Sequence, residues 1–194
     1  MAILIDMASG RDRMLDGAIA VFRERGVAGT SLTEIVERSG APRGSLYHYF
    51  PEGKTQLATE ATERAGRFMG ATISSLAAAG DPIDAIDTII EFFRGQLESG
   101  DFESGCPVAA GALGGAESEG ARRAAGEAFS SWESTVAAAL WQHGVAAERA
   151  ETMATLAIAA IEGALVLARA QRSTRPLDRV ATELTAQARL LLGR

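Results

Sequence analysis

Between Gly26 and Pro42 the sequence carries a helix stop, a start, a second stop and a second start. Gly26 closes the run GRDRMLDGAIAVFRERG, which Ser9 opens and in which Met14, Ala18, Val21 and Phe22 share one face. Ser31 and Glu34 then have capping-box spacing, so each can satisfy an orphan amide at a helix start. Leu32, Ile35 and Val36 form the apolar face of this second helix, and Gly40 ends it. Pro42 suits the first turn of a third helix of about eight residues, where Leu46 and Phe50 point inward together. Two short amphipathic helices joined by Ser-Gly-Ala fit a helix-turn-helix. Pieces this short cannot stand alone, so they must pack on each other and on the helix before them.

The same punctuation continues along the chain. A long helical pattern runs from about Lys54 to Ala79, roughly 39 Å at the α-helical rise and long enough to join a head to a body. Gly80, Asp81 and Pro82 supply a stop, an N-cap and a first-turn proline. Further helical stretches are expected at about 83–98, 107–115, 121–143, 147–171 and 176–192, with ESGDFESGCP as a Gly-punctuated loop. Strand-type alternation is scarce and hydrophobic residues make up 47% of the chain, which argues for helices packed on helices. The expected fold is therefore all-α with about nine helices. Residues 9–53 are expected to form a three-helix helix-turn-helix head, and residues 54–194 a larger helical body.

Several classes are disfavoured. An uninterrupted apolar run of eighteen residues is missing, which predicts no transmembrane span. The opening MAILIDMASG lacks a basic n-region, so residues 1–8 read as a loose arm, or precede a start at Met7, and not as a signal peptide. One cysteine, Cys106, excludes an internal disulfide and fits a cytoplasmic location. Two histidines 95 positions apart supply no metal cluster, and there is no HExxH, Gly-rich phosphate loop or GxSxG. No cofactor, metal or catalytic group is expected.

The net charge is −6, unpromising for a nucleic-acid binder until its distribution is considered. Residues 1–54 hold seven basic and seven acidic side chains, while the remainder hold 12 and 18. A neutral head on an acidic body can turn only the head toward a polyanion. The stretch GAPRGSLYHYFPEGK holds both tyrosines (Tyr47, Tyr49), one of the two histidines (His48) and the single lysine (Lys54). With Leu46 and Phe50 inward, Arg43, Gly44, Tyr47 and His48 occupy the opposite side. The tyrosines either finish a small core or face DNA. Arginine can reach a guanine edge with two donors, and serine can bond a base or phosphate. Gly44 lets the backbone approach the groove, and Tyr and His can donate to phosphates. Lys54 begins a helix, where its charge joins free amides as an anion site; Thr30 and Ser31 open another and could act likewise.

These residues carry a resemblance. TSLTEIVERSGAPRGSLYHYFPEGKTQL resembles the DNA-binding head of the TetR (tetracycline-repressor) family of bacterial transcription regulators, over residues 13–60 and with its Leu-Tyr-His-Tyr-Phe…Lys signature. The resemblance implies an all-helical homodimer whose paired recognition helices enter successive major grooves of a palindromic operator. It also implies a body that binds a small-molecule inducer. By this match Arg43, Gly44 and Ser45 sit where bases are read, and Tyr47, His48 and Lys54 where phosphates are held. The spacing Phe50-Pro51-Glu52-Gly53-Lys54 is one residue longer than the family's commoner Phe-x-x-Lys. GCPVAAGALGGA and EGALVLARAQRSTRPLDRV resemble the LmrA/YxaF-like branch, where that longer spacing is usual. Members of the branch are generally repressors, often of neighbouring efflux or oxidoreductase genes.

In the body, Leu156, Ala160, Ala164 and Leu167 fall on one stripe, and Val180, Leu184, Ala188 and Leu191 on another. Such stripes are usually core. The resemblance implies that the last two helices pair with their symmetry mates, and Gly163 would allow close approach. Phe92, Phe93, Phe129 and Trp132 either pack the core or line an apolar pocket; Phe93, Phe129 and Trp132 are the candidate ligand contacts. Glu162 interrupts the apolar run AIAAIEGALVLA and needs a partner, an arginine or a ligand. Cys106 precedes Pro107 at a helix start, where the dipole could lower a thiol pKa, although a redox switch lacks a resolving cysteine. His143, beside Gly144, reads as a solvated cap. The expected function is a repressor that binds its operator as a dimer and is released by a small apolar or aromatic inducer. The alternatives are an all-helical enzyme and an interaction module without DNA binding. The module leaves the shared face of Arg43, Tyr47 and His48 unexplained.

Overall fold

The computed structural model describes residues 9–115 and 118–193, apart from the side chain of Arg43. The expectation of a loose arm at residues 1–8 lies outside the described residues. Among the described residues nine α-helices follow one another: α1 Gly10–Arg25, α2 Leu32–Ser39, α3 Leu46–Tyr49, α4 Lys54–Ala79, α5 Pro82–Ser99, α6 Pro107–Ala112, α7 Glu119–Gln142, α8 Ala147–Gln171 and α9 Arg175–Leu191. Among the described residues there is no strand.

The helix starts follow the expected chemistry. Ser9 Oγ accepts from the Asp12 amide at 3.1 Å. Both halves of the capping box form: the Glu34 amide donates to Ser31 Oγ at 3.2 Å, and the Ser31 amide donates to Glu34 Oε2 at 2.8 Å. Asp81 Oδ1 accepts from the Ile83 amide at 2.9 Å. Gly40 ends α2 in the left-handed region, with φ 62°.

The third short helix departs from expectation. Pro42 is extended (ψ 134°) and precedes the helical turn instead of lying inside it. Arg43–Ser45 form a 3-10 turn, and only Leu46–Tyr49 are α-helical. The Ser45 amide and hydroxyl both donate to the Pro42 carbonyl, at 3.0 and 2.7 Å, which tightens the turn to three residues. Helix α6 also ends earlier than expected, with Leu113 as its C-cap before Gly114 and Gly115.

The head core gathers Met14, Phe22, Ile35, Phe50 and Leu57, each fully buried. Leu57, Ala58 and Ala61 come from α4, so packing runs across the junction at residues 53 and 54. The body core gathers Ile90, Leu97, Val108, Ala125 and Leu177 from α5, α6, α7 and α9. Helices α4 and α7 approach closely where Gly66 meets Ala128; a Cβ built on Gly66 would lie 2.7 Å from that of Ala128. The Trp132 indole N–H donates to the Gly66 carbonyl at 3.1 Å, next to this crossing.

Head and body are also clamped by polar bonds. The carbonyls that end α1 have no intrahelical donors, and the body supplies some. Arg169 on α8 donates to the Glu24 carbonyl at 2.7 Å and to the Arg23 carbonyl at 3.4 Å. The Gly105 amide, in the loop before α6, donates to the Arg23 carbonyl at 2.8 Å. Arg64 on α4 pairs with Asp12 at 2.8 Å and with Asp16 at 3.1 Å on α1.

The last two helices revise the expected stripes. Ala164, Leu184 and Ala188 are buried within their own chain, Ala164 at 1% exposure. They are therefore core residues and no part of an exposed face. Val180 and Leu191 are half-buried and pack on the same internal clusters. Leu156, Gly163 and Leu167 are exposed, and Ala160 is half-exposed. With Ala159, Val166 and Ala170 they make a continuous apolar stripe along the outside of α8. By length and mean hydropathy (1.7), α8 meets the requirement for a membrane-crossing helix, which the interruption by Glu162 concealed from a count of uncharged runs. Its inner side, through Ala154, Ala164, Leu165 and Ala168, belongs to the protein core.

Candidate nucleic-acid interface and body cavity

The end of the helix-turn-helix presents a polar edge. Leu46 and Phe50 are buried, as their spacing predicts, and this turns Tyr47 outward at 66% exposure. His48 is exposed, with its ring edge-on to Tyr49 at 5.2 Å. Tyr49 takes the other role open to a tyrosine here: it is half-buried against the head core and Gly10. Gly44 is exposed with open space where a Cβ would stand. Ser45 is half-buried, its hydroxyl donating to Pro42. Arg43 lies in the 3-10 turn, and its side chain is outside the described residues.

Lys54 is the first residue of α4, and its Nζ reaches the Ala28 carbonyl at 3.4 Å. The extra residue in Phe50-Pro51-Glu52-Gly53-Lys54 is absorbed at Gly53, where φ is 62° and ψ −131°. A Cβ on Gly53 would lie 3.5 Å from the Tyr47 ring, so this turn also seats Tyr47 beside the start of α4. Gly53 has no side chain to cap the helix, and no acid sits in the first turn of α4. Its first amides are thus free for an anion next to Lys54 and Tyr47. The Gly53–Tyr47 contact could not be read from sequence, because it depends on the positive φ.

The start of α2 is built differently. Thr30 is buried at 3% exposure and its hydroxyl donates to the Gly26 carbonyl at 2.7 Å. That overturns Thr30 as a candidate phosphate contact, because the group is inside and already bonded. Ser31 is exposed, but its hydroxyl is engaged with Glu34. Bonds from the Ser31 amide and hydroxyl hold the Glu34 carboxyl below the usual range, with Arg25 adding to the effect. A fixed carboxylate therefore already neutralises this helix start. Phosphate chemistry is better served by α4.

The body encloses a cavity of about 140 Å³ between α4, α5, α7, α8 and α9. Its wall is apolar, including Met69, Ile73, Ile89, Phe93, Trp132, Ile158 and Ile161. Of the candidate ligand contacts, Phe93 and Trp132 are in the wall and Phe129 is not. Phe129 packs behind, edge-on to Trp132 at 5.2 Å, while Phe92 packs edge-on to Phe93. The ring of Trp132 is held by its bond to Gly66. Sequence periodicity could not separate the wall from the packing behind it, since both are apolar.

Two ionisable residues line the cavity, Glu162 and His143. His143 is the exposed C-cap of α7, as expected, and marks the solvent side. Among the described residues Glu162 is not paired with an arginine; the Cys106 thiol lies beside it. Burial raises the Glu162 pKa. Burial also pushes the Cys106 thiol well above its ordinary value, and the Glu162 carboxylate adds to this. The helix-start effect expected to lower it is outweighed: the Ala109 amide donates to Sγ at 3.5 Å, but the thiol is almost fully buried. Cys106 is therefore kept as a thiol.

Comparison with known proteins agrees with this geometry. Residues 14–61 match the family model "Bacterial regulatory proteins, tetR family". Residues 82–183 match "Transcriptional regulator LmrA/YxaF-like, C-terminal domain". An uncharacterized HTH-type transcriptional regulator of Mycobacterium tuberculosis is 39% identical over 184 residues, covering 92% of this chain and 93% of its own. The uncharacterized HTH-type transcriptional regulator YxaF of Bacillus subtilis is 35% identical over 176 residues, with coverage of 90% and 92%. The crystal structure of a TetR transcriptional regulator from Legionella pneumophila superposes with a TM-score of 0.80 at 19% identity, over 94% of this chain and 99% of that one. The chain accordingly belongs to the TetR family, in its LmrA/YxaF-like branch, and is a helix-turn-helix transcriptional regulator and not an enzyme.

Proposed function

We propose that this regulator is a cytoplasmic repressor that grips a palindromic operator as a homodimer and releases it when a small, largely apolar molecule enters the body cavity. The head at residues 9–53 supplies the DNA contacts, and residues 54–194 supply ligand binding and dimerisation. The observation that carries the reading is the uncapped, acid-free start of α4, with Lys54 and the exposed Tyr47 beside it. Tyr47, His48 and Lys54 hold phosphates, and Arg43, Gly44 and Ser45 face the bases. The apolar stripe of α8 supports a two-fold partner, since a second copy covers it with the same surface. The inner face of α8 is core and is followed by the half-buried Glu162 in the cavity wall, which favours a partner helix over lipid as the cover of the outer stripe.

Helix α4 starts at the phosphate contact and contributes Met69 and Ile73 to the cavity wall. A ligand that spreads the wall therefore tilts the element that carries Lys54. The operator requires the two heads to match the groove repeat. Release then follows if the ligand binds the mismatched spacing better, and only that difference in affinity drives it.

Sequencing the DNA fragments this protein retains from its own genome tests the reading, with a palindromic site near its own promoter as the expected result. Lys54→Ala is expected to weaken binding to operator and random DNA about equally, and to reduce the slope of log affinity against log salt by about one. An unchanged slope in a folded variant removes Lys54 from the phosphate contacts.

A further inference from the structure

The chemistry of the cavity narrows what it accepts. Its wall is apolar apart from Glu162 and the solvent-side His143. A carboxylate in such a place is expensive unless a positive charge or several donors answer it. Among the described residues Glu162 has no ion-pair partner, and the polar group beside it is the thiol of Cys106, at best a weak donor. The basic side chains of the surrounding body are committed elsewhere. Arg94 pairs with Asp178 at 2.7 Å, and Arg169 bonds the end of α1. The protein has thus placed one acidic group in an apolar cavity and withheld the cation that would neutralise it.

We propose that the cavity selects a lipophilic ammonium compound, and that Glu162 is its counter-ion. The inference rests on the reading of this cavity as the inducer site, and adds the ligand's charge and its anchor. An organic cation answers the buried carboxylate, while a carboxylate or phosphate ligand would bring like charge against it. Phe93 and Trp132 in the same wall offer ring surfaces of the kind that attract ammonium groups. A volume of about 140 Å³ seats a group close to one aromatic ring in size, with any longer tail leaving on the side of His143.

The test uses three probes of one shape: 2-phenylethylammonium, 2-phenylethanol and 3-phenylpropionate. Binding to the full-length protein is measured by calorimetry, with tryptophan fluorescence in a Trp141→Phe background, where Trp132 alone emits, as a second readout. The ammonium is expected to bind about 10-fold or more tightly than the alcohol, and the anion weakest of the three. Glu162→Gln preserves shape and removes charge; it is expected to erase that preference while keeping alcohol binding and the thermal midpoint. Equal binding of ammonium and alcohol, an unchanged preference in Glu162→Gln, or no ammonium binding at millimolar concentration each overturns the proposal. Operator affinity is measured in parallel. Selective ammonium binding that leaves operator affinity untouched upholds the site and overturns the inducer reading instead.

Discussion

Val166→Arg is expected to convert the protein to monomers and to lower operator affinity by about 100-fold or more, because one head alone reads only a few base pairs. Val166 is 64% exposed, in the middle of the α8 stripe with Gly163 and Leu167. In a monomer an arginine there is solvated, and it is at least as good a helix former as valine. In an isologous interface each substitution appears twice, so two guanidinium groups face an apolar surface without partners. Sedimentation velocity and operator titration on the same sample check both halves. Dimers persisting at micromolar concentration would show that α8 is not the interface. Ala164 is the wrong place for this experiment despite its position in the run of small residues. It is sealed in the body core, where a charge would damage the fold before it could report on association.

Gly66→Leu should destabilise the protein by about 2–3 kcal/mol, at the upper end of overpacking after the gain in helix propensity. The first added carbon alone would stand 2.7 Å from the Ala128 Cβ, so α4 and α7 must part. Parting them stretches the Trp132–Gly66 bond and shifts a cavity wall. Urea unfolding measures the loss. Gly95→Ala is the control, since nothing lies within 4 Å of its added carbon and the site is exposed on α5. It is expected to stabilise by roughly 0.5–1 kcal/mol through propensity. A Gly66→Leu variant as stable as the wild type would mean that the crossing is not tightly packed.

Local chemistry was the legible part of this chain. Helix α4 and helix α8 run between the residues that their flanking glycines and periodicity indicate, and the Ser31–Glu34 box forms as its spacing requires. Tyr47 faces outward because Leu46 and Phe50, its neighbours in the pattern, are inside. Orientation was illegible wherever both sides of a helix are apolar. On α8 the stripe through Ala164 and the stripe through Val166 look alike in sequence, yet one is core and the other exposed. The approach of Glu162 to Cys106 joins residues 56 positions apart on different elements, and no local signal marks it. Thr30 reads as a helix opener, but its hydroxyl turns back to Gly26, a choice set by burial. Proline position alone likewise could not distinguish an α-helical first turn from the 3-10 turn after Pro42.

The body cavity is also a volume that the folded chain holds and the unfolded chain does not. Its 140 Å³ corresponds to roughly 80 mL/mol, within the range by which unfolding shrinks proteins under pressure. Hydrostatic compression should therefore find the part of this space that its apolar wall keeps dry, away from Glu162 and the His143 opening. The ligand-free protein is expected to unfold at lower pressure than a variant in which the space is filled, for example Ala157→Leu from its wall. Compressing the two side by side, with tryptophan emission as the signal, compares their unfolding volumes directly. A bound ligand should shift the midpoint in the same direction, and equal midpoints with and without filling would mean that the space closes in solution.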